Sequence, residues 1–317
     1  MLILWASYVL NSFTQYMNWL TQKAVWRCGI GLVAIALVQY NRDCGLLAAD
    51  LKEVAVTSIA NSDDERIYQQ IIDRAQRQNL NRRSMGEIVQ TVAEQFLGAK
   101  YQAGLLDRTT QETLVVSLQQ FDCLLFVESV LAIANNIALQ DRSYRALENK
   151  IESQRYWQGK MNGYCSRLHY FSDWIEDNQK RGNVTNITRK LGGINIAKKL
   201  NFMTNHRDSY PILSKSDSNF KCISRVEESL STTFNYIPTN KIRQTYSQLK
   251  PGDIIGVATK IEGLDFTHTG FVYQQPNGNM GLIHASPAGK VVIARDLQNY
   301  IKKVPQAIGI VVSRANK

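Results

Sequence analysis

Histidine is scarce, and its few copies are not arranged as metal ligands. The chain has four among 317 residues: His169, His206, His268 and His284. None has a carboxylate partner at ligand spacing, and no cysteine pattern has zinc spacing, so neither metal nor any other cofactor is implied. Also absent are an aromatic-rich RNA motif, a tight Lys/Arg stripe, an internal repeat and a low-complexity segment. Together these set aside the common nucleic-acid binders and repeat proteins. No apolar run reaches the roughly 20 residues of a membrane span.

What remains is an ordinary globular composition, 44% apolar and 20% charged, long enough for a substantial core. Lys plus Arg number 37 against 27 Asp plus Glu, a net charge of +10. The favoured partners are therefore anionic: nucleic acid, anionic lipid or bacterial cell-wall polymer. The missing motifs leave nucleic acid a poor option.

The first 49 residues have their own character. Lys23 and Arg27 precede an apolar stretch, Cys28 to Val38, and small residues follow at Ala48-Ala49. That order reads as a signal peptide, or as an N-terminal membrane anchor if uncleaved, with Met17 an alternative start. The expected location is the periplasm or cell envelope, with membrane contact only through this segment. Export also bears on the five cysteines. Cleavage removes Cys28 and Cys44 and leaves Cys123, Cys165 and Cys222, so at least one thiol stays free unless chains cross-link. A Cys165–Cys222 disulfide is one option the residues leave open.

Residues 50–83 form a helical lead-in in which Ile67, Ile71 and Ile72 share a face. Ser84 suits an N-cap for a helix carrying Ile88, Val89, Val92, Phe96 and Leu97, stopped by Gly98. Thr113–Gln120 has the composition of a short strand. After Asp122 the apolar residues are too dense for a surface helix, which predicts a buried helix starting near Cys123. A further helix is expected over Ser143–Trp157, then a long, irregular insertion with some helix over residues 182–245. Five short β-type runs close the chain, beginning at Pro251, His268, Met280, Lys290 and Ala307, with "PNGN" as the clearest hairpin turn. Helices first and an antiparallel meander afterwards indicate an α+β fold, with residues 84–317 as one domain.

Chemistry concentrates on three residues. A thiol at a helix N-terminus feels the positive end of the helix dipole, which favours thiolate. His268 and His284 lie 16 residues apart across the "PNGN" turn and can meet on adjacent strands. Cys123, His268 and His284 can therefore supply nucleophile, base and orienter in chain order.

The stretches "FLGAKYQAG", "DCLLFVE", "LKPGDIIGV", "HTGFVY" and "LIHAS" resemble the papain-like bacterial cell-wall cysteine hydrolases of the NlpC type. "GYCSRLHYFSDWIEDN" and "EGLDFTHTG" are similar to the N-acetylmuramoyl-L-alanine amidase-like branch. The resemblance runs from about Ser84 to Arg314. It implies a papain-like α+β fold, with a helix carrying the cysteine packed on an antiparallel sheet. It also implies cysteine-dependent cleavage of an amide bond in the peptidoglycan stem, with Cys123, His268 and His284 catalytic and peptidoglycan or muropeptides as substrate.

Two positions depart from the wider pattern. Leu124 and Leu125 follow Cys123 where Ser-Gly is usual, which weakens recognition of a free stem-peptide amine. Lys100 stands where proline is common. The sugar–peptide amide is therefore the favoured bond, with the γ-D-glutamyl-diaminoacid bond as alternative. A hydrolase of another acyl or peptide substrate and a non-catalytic envelope binder remain open. Candidate substrate contacts are Tyr164, Arg167, Tyr170 and Trp174, with Asp265 in the loop before His268. Asp122 either caps the helix or touches substrate. For Arg167 the structural alternative is a pair with Asp173.

Overall fold

The structure, a computed structural model, describes residues 62–230 and 233–317. The expected export segment and the start of the lead-in lie outside these residues. The chain opens with α1 (Ser62–Arg77), which buries Ile71 and Ile72 and packs Ile67 at the core's edge. Acidic residues in its first turn and arginines in its last oppose the helix dipole. Asp64 Oδ1 accepts from the Leu118 N–H at 2.9 Å, tying this helix to the segment that leads into Cys123.

Helix α2 (Met85–Glu94) begins with the expected cap. Ser84 Oγ accepts from Glu87 N–H, and Glu87 returns a bond from the Ser84 N–H. Ile88, Val89, Val92 and Phe96 are buried, but Leu97 is 45% exposed: the helix has already ended, and Leu97 has turned off the stripe. Gly98, at φ +83°, completes the stop. Strands β1 (Lys100–Tyr101) and β2 (Gln120–Phe121) pair in parallel. The strand expected over Thr113–Gln120 is thus mostly coil, because its apolar Leu114, Val116 and Leu118 turn into the core without a ladder partner.

Helix α3 (Cys123–Leu139) runs through the core. Leu125, Phe126, Val127 and Val130 are each at most 1% exposed, and each contributes roughly 1.5–3 kcal/mol by burial. Helix α4 (Tyr144–Arg155), capped by Ser143, lies against it, and α5 (Phe171–Lys180) follows. Arg155 and Glu128 form a buried ion pair at 2.7 Å that joins α4 to α3.

The segment expected to be an irregular insertion is ordered. It holds β3 (Val184–Asn186), β4 (Ile194–Ala197), α6 (Phe202–Asn205), α7 (Pro211–Ser214), α8 (Asp217–Ser229) and β5 (Thr233–Pro238). Its strands carry weak alternation because they pair at the far side of the sheet, where most of their side chains are only partly buried. Cys165 and Cys222 are disulfide-bonded, which fastens α8 to the loop before α5. Cys123 is the free cysteine among the described residues.

The five predicted runs appear as β6 (Ile254–Thr259), β7 (Phe266–Gln274), β8 (Met280–Ser286), β9 (Lys290–Ala294) and β10 (Ala307–Ala315). Between the last two lies α9 (Leu297–Lys303), which the pattern reading passed over. Strand order is β2-β1-β9-β8-β7-β6-β10-β5-β4, with β3 also on β10. The central strands are antiparallel as expected, and the parallel β1–β2 pair makes the whole sheet mixed. The molecule is α+β, with α3 packed on β7 and β8; the Phe126 and Phe271 rings meet edge-on at 5.8 Å.

Candidate active site

Cys123 is the first residue of α3, and its position follows from the cap. Asp122 Oδ1 accepts from the Leu124 and Leu125 N–H groups at 2.9 and 2.8 Å, and the residue is buried. This is the capping role. Burial raises the Asp122 carboxyl above the usual range, against those same N–H bonds.

The thiol is 1% exposed. Burial pushes it well above the ordinary cysteine range, with the Asp122 charge adding to the rise. A hydrogen bond from the Thr269 backbone N–H acts the other way. This corrects the expectation of a helix-stabilised thiolate: desolvation in a closed site outweighs the helix terminus, so the resting sulfur keeps its proton.

Thr269 is also the link to the imidazoles, since His268 precedes it. On β7 the ladder to β6 skips a residue: Val257 pairs with His268 and Ala258 with Phe266, leaving Thr267 as a bulge. The bulge re-aims the chain at His268. His268 Nε2 and His284 Nδ1 lie 2.8 Å apart, both buried, their rings nearly perpendicular at 4.8 Å. The β7–β8 register, Phe271 to Ile283, continues to Gly270 opposite His284, so the imidazoles meet along the diagonal. Burial holds both below the ordinary histidine range, His268 well below and His284 down to about 4. Both are neutral at physiological pH.

Two tyrosines absent from the expected site belong to it. The Tyr300 ring on α9 lies 4.6 Å from His284 and 6.2 Å from His268. Burial, then the charge of Cys123, raises the Tyr300 and Tyr101 phenols, so both are within electrostatic reach of the sulfur and stay protonated. Tyr101 lies within the quoted "FLGAKYQAG", whereas nothing local marks Tyr300.

The residues expected to form a substrate wall are placed inside instead. Arg167 is 7% exposed and donates to Glu112, Asp107 and the Leu106 carbonyl, not to Asp173. Asp173 accepts from Trp157 Nε1 at 2.9 Å. Tyr164 packs against His169 and under the Arg167 guanidinium, and the Tyr170 hydroxyl donates to Glu227 at 2.5 Å. Trp174 stacks on Phe171 with 1% exposed. Asp265 accepts from the Ser172 N–H and Oγ at 2.8 and 2.7 Å, which holds the loop before β7. These side chains build the frame behind the site: Arg167, Tyr170 and Asp265 are committed to Glu112, Glu227 and Ser172, and Trp174 is buried. His169 bonds the Tyr164 carbonyl at 2.8 Å and is structural as well. Among the described residues no group of three or more His, Cys, Asp or Glu could hold a metal ion.

A buried thiol capped by aspartate, beside a histidine pair on an antiparallel sheet, is an arrangement suited to acyl transfer. Residues 91–310 match the family model described as N-acetylmuramoyl-L-alanine amidase-like (AmiA-like), and the chain belongs to that family. Among solved structures it is similar to an N-acetylmuramoyl-L-alanine amidase from Bacteroides uniformis. The identity is 31% and the TM-score 0.69, over 74% of this chain and 99% of that one. A candidate xylanase from Bacteroides fragilis is 31% identical, with a TM-score of 0.67 over 71% and 99% of the two chains. A Legionella pneumophila protein shares the fold at 24% identity and a TM-score of 0.60, over 81% of this chain and 94% of that one. A comparison with curated proteins finds no match.

Proposed function

We propose that this protein is a cysteine-dependent peptidoglycan hydrolase of papain-like, NlpC-type arrangement, acting outside the cytoplasm on the amide between the muramoyl sugar and L-alanine. The observation that carries the reading is the His268–His284 contact at 2.8 Å, next in the chain to the Thr269 N–H that bonds the Cys123 sulfur. With Nε2 of His268 donating to His284 Nδ1, His268 Nδ1 is the nitrogen left to accept the thiol proton.

Because the resting thiol is protonated, proton transfer accompanies attack. The sulfur bonds to the carbonyl carbon, the His268 proton passes to the departing amine nitrogen, and the carbon–nitrogen bond breaks. Water then releases the thioester, giving its proton back through His268. His284 keeps the base in one tautomer and orientation. The Tyr101 and Tyr300 phenols are neutral donors within electrostatic reach of the sulfur and are suited to the carbonyl oxygen that gains charge. Residues 1–49 act as export signal or anchor, and the Cys165–Cys222 bond suits an oxidising compartment.

Release of dye-labelled fragments from purified peptidoglycan tests the hydrolase. Unchanged release by Cys123→Ala refutes cysteine catalysis. Mass spectrometry of defined muropeptides identifies the bond: free sugar and an L-alanine amino terminus are expected. Release of a lactyl-linked dipeptide would instead assign the γ-D-glutamyl endopeptidase.

A further inference from the structure

A cavity of about 290 Å³ opens where α1, the turn Leu80–Arg82 and the C-terminal end of α3 meet. Its base is apolar, built from Ile72, Ala75 and Ile137, with one buried polar side chain among them, that of Asn136 at 1% exposed. Asn136 Nδ2 donates to the Tyr68 hydroxyl at 3.0 Å, and that hydroxyl donates to the Asp141 carbonyl at 3.3 Å. The relay fixes the amide one way round: turned over, its oxygen would face a hydroxyl oxygen whose hydrogen is already given to Asp141. Asn136 Oδ1 is therefore a buried acceptor with no donor among the described residues. Leaving such an atom unpaired is costly, so the cavity selects a ligand that brings a donor.

The charges around the cavity exclude an ionic ligand. Asp141 Oδ1 accepts from the Ser143 N–H and hydroxyl, and Arg142 donates to Gln76 and pairs with Asp73. Arg82 and Arg142 oppose a cation, while the negative end of the α3 dipole and the open Asn136 oxygen oppose an anion. A neutral acetamido group meets both parts of the base. Its N–H supplies the donor for Asn136 Oδ1, and its methyl covers Ile72, Ala75 and Ile137. At the rim, the Asn79, Asn81 and Gln140 amides both donate and accept, as ring hydroxyls require. The volume, at the small end for ligand sites, suits one ring. We infer that this cavity binds an N-acetylated sugar unit, as a second hold on a glycan apart from the cysteine site. Asn136 lies thirteen residues beyond Cys123 (136 − 123) on α3, about 20 Å along the helix. The inference goes beyond the cleavage proposed above. Only its purpose, anchoring the protein to the N-acetylated polymer that it cuts, rests on that reading.

The test is a heteronuclear NMR titration of the wild-type protein with an N-acetylglucosamine dimer, which carries no stem peptide to be cleaved. The Asn136 side-chain amide signals should shift as the dimer is added. The dimer should also bind roughly tenfold or more tightly than cellobiose, which has a hydroxyl in place of each acetamido group. Ala75→Leu fills the base without removing a polar atom and should abolish both the shift and the binding, with circular dichroism checking that it folds. Should that variant not fold, the wild-type titration decides alone. Unmoved Asn136 signals, equal binding of the two sugars, or binding that survives in folded Ala75→Leu overturns the site. If wild-type protein releases nothing from peptidoglycan, the hydrolase reading fails by itself, and the sugar titration still decides the cavity.

Discussion

Gly270→Ala should disable the enzyme although it touches neither the sulfur nor substrate. Gly270 stands opposite His284, and a Cβ there would lie 2.8 Å from His284 Cβ and 2.8 Å from the Ile283 carbonyl oxygen. Relaxing both contacts needs a displacement of roughly 0.6–1 Å, since ordinary carbon contacts begin near 3.5 Å. Neither neighbour is a flexible chain end, and the Ile283 carbonyl is part of the β-ladder. The strain of overpacking costs about 1–3 kcal/mol. In a domain of this size that lowers Tm by about 2–4 °C per kcal/mol, so the fold survives. The His268–His284 bond has less latitude. A shift of about 1 Å at the orienting imidazole can cost on the order of 100-fold in turnover. The expected outcome is a folded variant with kcat reduced ten- to a hundredfold and KM little changed, read from muropeptide cleavage alongside thermal denaturation. Wild-type kcat in folded Gly270→Ala would refute the claim that the glycine sets the imidazole pair.

His268→Ala should abolish turnover, while His284→Asn or Gln retains a measurable fraction, because losing the base stops proton transfer and losing the orienter only misaligns it; equal loss in both would be the contrary result in single-turnover assays. Asp173→Asn tests a buried acid whose carboxyl is pushed up to about 7, first by burial. A raised carboxyl contributes fully below the unfolded value near 4, and that contribution is lost as pH rises to about 7. The asparagine variant should match wild type in urea denaturation at pH 4 and be more stable at pH 8, by up to ~4 kcal/mol. Arg167→Ala leaves Glu112 buried without its partner and should destabilise by about 3–5 kcal/mol in the same assay, with a loss under 1 kcal/mol counting against the pairing. Cys222→Ser opens a bond spanning 57 residues, for which chain entropy gives about 4 kcal/mol; unchanged stability would mean that the bond constrains little.

Much of this molecule is legible along the chain because its signals are local. Ser84 and Glu87 make a capping box from four adjacent residues, and Asp122 caps α3 from the position next to the thiol. Dense apolar sequence after Cys123 determines a buried helix, and the short alternating runs after Pro251 determine the central strands. Cys123, His268 and His284 stand out for the same reason, each lying at an element boundary or in a strand that pattern alone predicts.

Only the tertiary structure decided what depends on distant partners. Leu114, Val116 and Leu118 look like a strand but pack as coil, since no neighbouring ladder receives them. Weakly patterned residues 184–186, 194–197 and 233–238 became strands, since β10 and β5 supplied edges for them. Arg167 found Glu112 and Asp107, 55 and 60 residues away, instead of the nearby Asp173. The surroundings of the thiol were decided in the same way. A helix start is written in the sequence, but the burial that pushes the thiol up comes from elements folding over it, and desolvation is a property of the closed site as a whole.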